Sequence, residues 1–324
     1  MLTYRTFRNT DPPVITALWR SRAGQRGLMH PVSPDLFEQL VFAKLYFDYR
    51  GLVLAWDDGQ AVGFAHAGFG PNEAGDDVSF DWGVTCLVLV RPDYPAAEEV
   101  AAGLLERCEQ YLRQRGAKVL YGGGIQPLNP FYLGLYGGSE LPGILDSDAA
   151  AQEVLRAHQY QEIDQTHIFQ CDLSGFQTPI DRRQMQIRRQ MVVEVTVDAP
   201  MRSWWEACTL CEFDLTRFDL IPRGGSGSVA TAVFRSMEPT GATMLGRTMG
   251  LIELKVDETQ RRHGLASFVL SEAFRQFLRQ GIATVEVQAM EHNPSALSFY
   301  RKLGFQEVGK GSVFRKEGGV RGEG

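Results

Sequence analysis

The chain has 324 residues, 44% of them hydrophobic and 22% charged, with a formal net charge of −6. That length is too great for one typical compact domain and suits two, and the balance is that of a globular protein. The acidic charge leaves no global footprint for nucleic acid or an anionic membrane, and no apolar run approaches membrane-spanning length.

The N-terminal run Met-Leu-Thr-Tyr-Arg-Thr-Phe-Arg lacks the apolar core of a signal peptide, so a cytoplasmic location is expected. The first clear unit runs from residue 83 to residue 121. Gly83-Val-Thr-Cys-Leu-Val-Leu-Val90 reads as a strand, and Pro92-Asp-Tyr-Pro-Ala-Ala-Glu-Glu99 as a turn opening a helix that runs past Leu112. Early Pro and Glu suit a first helical turn. Gly122 to Gly143 is rich in Gly, Pro and aromatics and reads as a long structured loop. Such loops line sites or seal interfaces. Phe131, Tyr132, Leu135 and Tyr136 suit either role. A second helix follows Asp148, and Thr166–Leu173 reads as a strand.

A domain boundary is expected at Ser174–Asp181, dividing the chain into residues 1–175 and 180–316. The next stretch, 182–189, holds four arginines in eight residues. A short basic cluster in an acidic protein is an ordinary solvated face, with a link to an acidic substrate left open. Cys208 and Cys211 form a Cys-x-x-Cys in a helical context. With only five cysteines and no second pair nearby, core packing accounts for them better than a metal or redox site. No metal is expected. Pro222–Ser228 is flexible by composition, and the tail 317–324 reads as disordered or as a purification remnant.

The chain's chemistry concentrates further on. Gly250-Leu-Ile-Glu-Leu-Lys-Val256 is strand-like, and Ser267–Arg279 helix-like. Between them lies Arg261-x-x-Gly264-x-Ala266. The first N–H groups of a helix lack intrahelical partners, and with the helix dipole they favour a phosphate. Gly264 and Ala266 remove side-chain bulk that would block approach to the backbone. A strand at Ala283–Ala289 then leads to Asn293-Pro-Ser-Ala-Leu-Ser-Phe-Tyr-Arg-Lys-Leu-Gly-Phe305. Asn293 suits the N-cap, Pro294 the first helical position and Gly304 the stop.

The two motifs, in this order, resemble those of the GNAT family of acyl-CoA-dependent N-acyltransferases. The family's phosphate signature corresponds to Arg261, Gly264 and Ala266, and its second signature to Asn293, Ala296, Tyr300, Gly304 and Phe305. The first half reads as a worn copy of the second. Gly83–Val90 matches Gly250–Val256, and Asp148–Glu162 matches Asn293–Glu307. The copy has no glycine at its turn, carries Glu98 and Glu99 where a phosphate would be repelled, and has Leu155 in the Tyr300 slot. The resemblance therefore implies an α+β fold of two tandem GNAT domains, each a mostly antiparallel twisted sheet flanked by helices. The first would be degenerate and the second catalytic. This two-domain arrangement is similar to that of mycothiol synthase, without a residue signature for that enzyme's substrate.

The resemblance also implies roles. Acetyl-CoA would be the co-substrate and an amine the acceptor. The pyrophosphate would lie on Arg261, Arg262, His263, Gly264, Leu265 and Ala266. The pantetheine would run beside Leu254, Lys255 and Val256, whose N–H groups would also meet the oxyanion. Asn293 would assist the CoA arm or cap its helix. Tyr300 would serve the leaving thiolate. Glu253 is the candidate base, with Glu286 and Glu291 as further carboxylates nearby. The acceptor pocket is expected where the halves meet, with Tyr132 and Tyr136 among its walls. A non-enzymatic acyl-CoA-binding module is the alternative. The acceptor's identity and the oligomeric state are not legible.

Overall fold

The structure is a computed structural model and describes residues 1–177, 181–225, 227–237 and 247–317. The tail beyond Glu317, Ser226 of the Gly-Ser loop and residues 178–180 of the expected boundary lie outside these.

The first half comprises β1 (Thr3–Thr6), α1 (Pro12–Arg20), α2 (Pro34–Phe37), β2 (Leu52–Asp57), β3 (Gln60–Pro71), β4 (Val78–Val90), α3 (Ala97–Gln114), β5 (Val119–Gly122), β6 (Ile144–Leu145), α4 (Ala149–Ala157) and β7 (Gln161–Asp172). The second comprises α5 (Arg182–Gln190), β8 (Met191–Val197), α6 (Trp204–Leu210), β9 (Leu215–Pro222), β10 (Ala230–Ser236), β11 (Arg247–Val256), α7 (Leu265–Arg279), β12 (Ile282–Met290), α8 (Pro294–Lys302) and β13 (Gln306–Glu317). Among the described residues no helix is long and apolar enough to cross a membrane.

Each half orders its last five main elements as strand, helix, strand, helix, strand, and both copies build the same local geometry. β4 runs parallel to β5, and β11 parallel to β12. Each long strand carries a one-residue bulge against its antiparallel neighbour: Cys86 is extra on β4 and Ile252 on β11. Bulges re-aim a strand and cluster beside active sites. Parallel pairing stops at Thr85↔Gly122 in the first half and at Leu251↔Val287 in the second. Thr85 is therefore equivalent to Leu251. The match of Gly83 with Gly250 drawn from sequence is one residue out, because composition alone does not reveal which residue is bulged.

The halves share one sheet rather than forming two. Among the described residues it has the order β1-β2-β3-β4-β5-β13-β7-β12-β11-β10-β9-β8. β7, the last strand of the first half, pairs with β12 from Thr284↔Asp172 to Met290↔Thr166. β13, the last strand of the second, pairs with β5 from Phe314↔Gly122 to Glu317↔Val119. β7 and β13 also pair with each other. Each half thus gives its final strand to the other, and a dyad-like order runs outward from the β13–β7 pair.

α7 lies on the second half of the sheet through Phe268, Val269, Ala273, Phe274 and Phe277, all buried, at helical spacing. Val269, Ala273, Phe274 and Phe277 pack in one cluster with Phe169 of β7, Phe218, Phe234 and Val285, and Phe268 in another with Ile187 and Leu220. Each such phenylalanine contributes about 1.5–3 kcal/mol by leaving water. α3 and α4 cover the first half through Val100, Leu104, Leu112, Val154 and Leu155. α6 fastens the halves at a second point. Trp205 stacks on Tyr46 with ring centroids 4.7 Å apart, and Lys44 Nζ donates to the Cys208 carbonyl at 2.7 Å.

Candidate active site

Beyond Leu251↔Val287 the strands β11 and β12 diverge. β11 stays paired with β10 to Val256↔Ala230, and β12 with β7 to Met290↔Thr166. The facing edges, Ile252–Val256 and Gln288–Met290, border a cleft of about 1240 Å³. An unpaired strand edge is a row of backbone donors and acceptors, suited to an amide-containing arm lying between the strands.

One end of the cleft is the turn into α7. Gly264 is its N-cap with φ +82°, and Arg262 stands at φ +67°. The left-handed conformation costs a side chain about 1–2 kcal/mol, which glycine escapes. A Cβ on Gly264 would also meet Arg183 Cδ at 2.8 Å. With a glycine at the cap, no side chain satisfies the first amides of α7. Leu265, Ala266 and Ser267 line the cleft instead, under Arg183, Lys255, Arg261, Arg262 and Lys302. Free amides and a cationic rim are the chemistry of a phosphate site.

α8 forms another wall. Asn293 Oδ1 accepts from the Ala296 N–H at 3.1 Å, so this residue caps its helix. Tyr300, one turn from the helix end, is 7% exposed, with its ring among Phe169, Phe299 and Phe305. Burial, and after it the nearby Glu140 carboxylate, hold its phenol above the ordinary range. At neutral pH it is a proton donor.

Glu140 comes from the first half. Its loop is clamped onto the second half by a polar set. Arg235 of β10, fully buried, donates from Nε to the Ser139 carbonyl at 2.7 Å and from Nη2 to the Gly138 carbonyl at 2.5 Å. Glu286 Oε1 accepts from the Ser139 N–H at 2.6 Å, and Gln170 Nε2 donates to Oε2 at 2.9 Å. Gln288 Nε2 donates to the Glu140 carbonyl at 2.7 Å. Two glycines admit the loop: a Cβ on Gly138 would collide with the Glu286 carboxylate, and one on Gly250 would meet Ser139 Cβ at 2.8 Å. The Glu140 side chain is half-buried and faces the cleft. Burial raises its carboxyl to about 7, with Arg235 opposing.

Glu253, Leu254, Lys255, Val256, Arg261, Arg262, Gly264, Leu265, Ala266, Asn293 and Tyr300 all line this one cleft. His263 is exposed and outside its lining. Glu253 is ion-paired with Arg202 at 2.7 Å, and Glu286 is committed to the loop clamp with its pKa raised by burial. Tyr132 and Tyr136 do not line the cleft. Both are 2% exposed in the core of the first half, with the Tyr132 hydroxyl 3.0 Å from His66 Nδ1 and the Tyr136 hydroxyl accepting from the Leu145 N–H. The loop reaches the site through Glu140. Arg183 was legible only as part of a basic cluster, and Glu140 carried no local signal.

The equivalent places in the first half are differently furnished. The N-cap of α3 is Ala96 at φ −107°, followed by Glu98 and Glu99. Asp57, Asp58 and Asp93 gather beside that turn. Past the last β4–β5 pair the chain runs straight into the Gly-rich loop: the Gly123 N–H donates to the Thr85 carbonyl, and the Gly143 N–H of the same loop to that of Gly124, each at 2.9 Å. Leu155 packs on Gly122, where a Cβ would meet its Cδ1 at 2.7 Å.

Two bulged strand–helix–strand units in one sheet define a tandem acetyltransferase fold. The family model of the acetyltransferase (GNAT) family matches residues 18–136 and 198–305, and the chain belongs to that family. Solved structures of the same fold include the glucosamine N-acetyltransferase region of a fungal multi-domain GH3 beta-N-acetylglucosaminidase, with TM-score 0.70 and 15% identity over 98% of this chain and 38% of that one. A tandem GNAT protein from the clavulanic acid biosynthesis pathway gives 0.67 and 14%, covering 98% and 99% of the two chains. A GCN5-related N-acetyltransferase from Sphaerobacter thermophilus gives 0.65 and 16%, covering 98% and 95%. This chain thus spans under two fifths of the first protein and nearly all of the other two, and at these identities the likeness is one of fold. No curated protein matches the chain in sequence.

Proposed function

We propose that the chain is an acyl-CoA-dependent N-acyltransferase that moves an acetyl group from acetyl-CoA to an amine, with the chemistry in the second half. One observation carries this reading. The splayed edges, the left-handed turn and Tyr300 border a single cleft, while the first half has Leu155 and an acidic turn in the same places.

The pyrophosphate of acetyl-CoA is held by the amides of Leu265, Ala266 and Ser267 and by Arg183, Arg261 and Arg262. The pantetheine amides pair with the free edge of Leu254–Val256, which brings the thioester to the point of divergence. Backbone N–H groups there stabilise the oxyanion as the amine attacks the carbonyl. The C–S bond breaks with its electron pair on sulfur, and Tyr300 gives its phenolic proton to that sulfur. The test is thiol release from acetyl-CoA against a panel of primary amines, with the acetylated amine identified by mass. Amine-dependent release supports the proposal. Tight CoA binding without turnover on any amine, or on water, points to a binding module.

A further inference from the structure

Resting on that reading, we infer that Glu140, delivered by the first half, is the proton acceptor for the attacking amine, so that the second half's site is completed by the first. Several observations converge on it. The loop's docking is built for placement: Arg235, Glu286, Gln170 and Gln288 hold the backbone of Gly138, Ser139 and Glu140, and Gly138 and Gly250 make room for it. All of that clamp acts on main chain or on Glu286, and among the described residues the Glu140 carboxylate takes no hydrogen bond. It is left facing the cleft, near enough to Tyr300 to raise the phenol's pKa. The other two carboxylates near the divergence are committed, Glu253 to Arg202 and Glu286 to Ser139 and Gln170.

Among the described residues, the charged and titratable groups facing Glu140 are Arg235 from β10 and Tyr300 from α8, with Glu286 from β12 on the adjacent Ser139 N–H and Glu253 and Lys255 from β11 lining the same cleft. Of these, Arg235 favours the ionised form, and desolvation outweighs it. The carboxyl, near 7, is thus basic enough to take a proton and is still half ionised at neutral pH.

The protons balance. A neutral amine forms the C–N bond while one N–H proton passes to the Glu140 carboxylate. The C–S pair goes to sulfur, which takes the Tyr300 proton. Glu140 then returns its proton to the phenolate through water. The products are the amide and the free thiol, and both side chains are restored. The nearness of Glu140 to Tyr300 is what this return step needs.

The experiment uses the full chain with acetyl-CoA and either tyramine, as a surrogate primary amine, or water alone as acceptor. It follows thiol release from pH 5.5 to 9 for wild type, Glu140→Gln and Glu140→Asp, with CoA affinity measured in each. Glu140→Gln keeps the backbone contacts and should bind CoA normally. Its kcat/KM should fall about a hundredfold or more, within the usual contribution of general base catalysis, and the limb near pH 7 should vanish. Glu140→Asp should recover part of the rate and keep a limb. Unchanged rate and pH profile in Glu140→Gln would overturn the inference while leaving the proposed activity intact. A wild type that releases thiol under none of these conditions would overturn the activity itself.

Discussion

Leu155 and Tyr300 hold the same slot in the two halves. Each carbonyl accepts the backbone N–H of the aromatic just before the next strand, Tyr160 for Leu155 and Phe305 for Tyr300, at 3.1 Å in both. The fold therefore needs only a side chain that packs at this position. A leucine satisfies it, so the hydroxyl of Tyr300 is free to be explained by chemistry.

Tyr300→Phe keeps the ring and its packing against Phe169 and Phe305. We expect thiol release to fall tenfold to a thousandfold, on the order expected for general acid catalysis, with CoA affinity nearly unchanged. Stopped-flow or thiol-reagent assays beside calorimetry separate the two quantities. Normal turnover in this variant would make Tyr300 a packing residue.

The strand exchange predicts that neither half folds alone. Residues 181–317 by themselves would leave β12 and β13 without β7, exposing a long edge in what is the middle of the sheet. Each fragment should be insoluble or non-cooperative on its own, and the pair, co-expressed, should recover a cooperative melt and CoA binding. A well-folded, CoA-binding 181–317 fragment would contradict the exchanged pairing.

Arg235→Met should destabilise the chain and loosen the loop. The Gly138 and Ser139 carbonyls would lose their buried donors, each unsatisfied group costing about 1–3 kcal/mol. Denaturant titration measures the loss. Thiol release should drop further than CoA affinity, since the turn at Gly264 is untouched.

Much of the second half was legible because its signals are local. A glycine at a left-handed cap, an Asn-Pro helix start and an aromatic stripe each require only neighbouring residues, so the turn at Arg261–Ala266 and the Asn293–Tyr300 helix could be read directly. What was not legible depends on distant partners. Nothing in Gln161–Asp172 or Gln306–Glu317 says that these strands change places, since a strand's own pattern does not encode its neighbour. Glu253 reads as a candidate base from its own strand, and only the fold brings Arg202, just before α6, to pair with it. Aromatics in a Gly-rich loop suit either a pocket wall or the core, and distant partners decide for the core: Trp19 and His66 for Tyr132, and the Leu145 N–H for Tyr136. Glu140 was one glutamate among many until Arg235 and Gln288 fixed its loop.

Glu140→Gln also makes a prediction about stability, with its sign set by the raised pKa. The native carboxyl titrates near 7 and the unfolded one near its ordinary 4.5. Its contribution is therefore fully present below 4.5 and is lost as pH rises through 7. At pH 8 the wild type carries the cost of a desolvated carboxylate, which a neutral amide removes. The variant should melt higher than wild type at pH 8 and alike at pH 4.5. A lower melting temperature at pH 8 would show the carboxylate to be stabilised in place.

A single active cleft should bind a single CoA, and calorimetric titration of CoA into wild type and Gly264→Val measures this. Valine would face a left-handed backbone at φ +82° and the Arg183 side chain. The prediction is one CoA per chain in wild type and loss of most affinity in the variant, with thermal melting showing that its fold survives. Two equivalent sites in wild type, or unchanged affinity in a folded Gly264→Val, would contradict it.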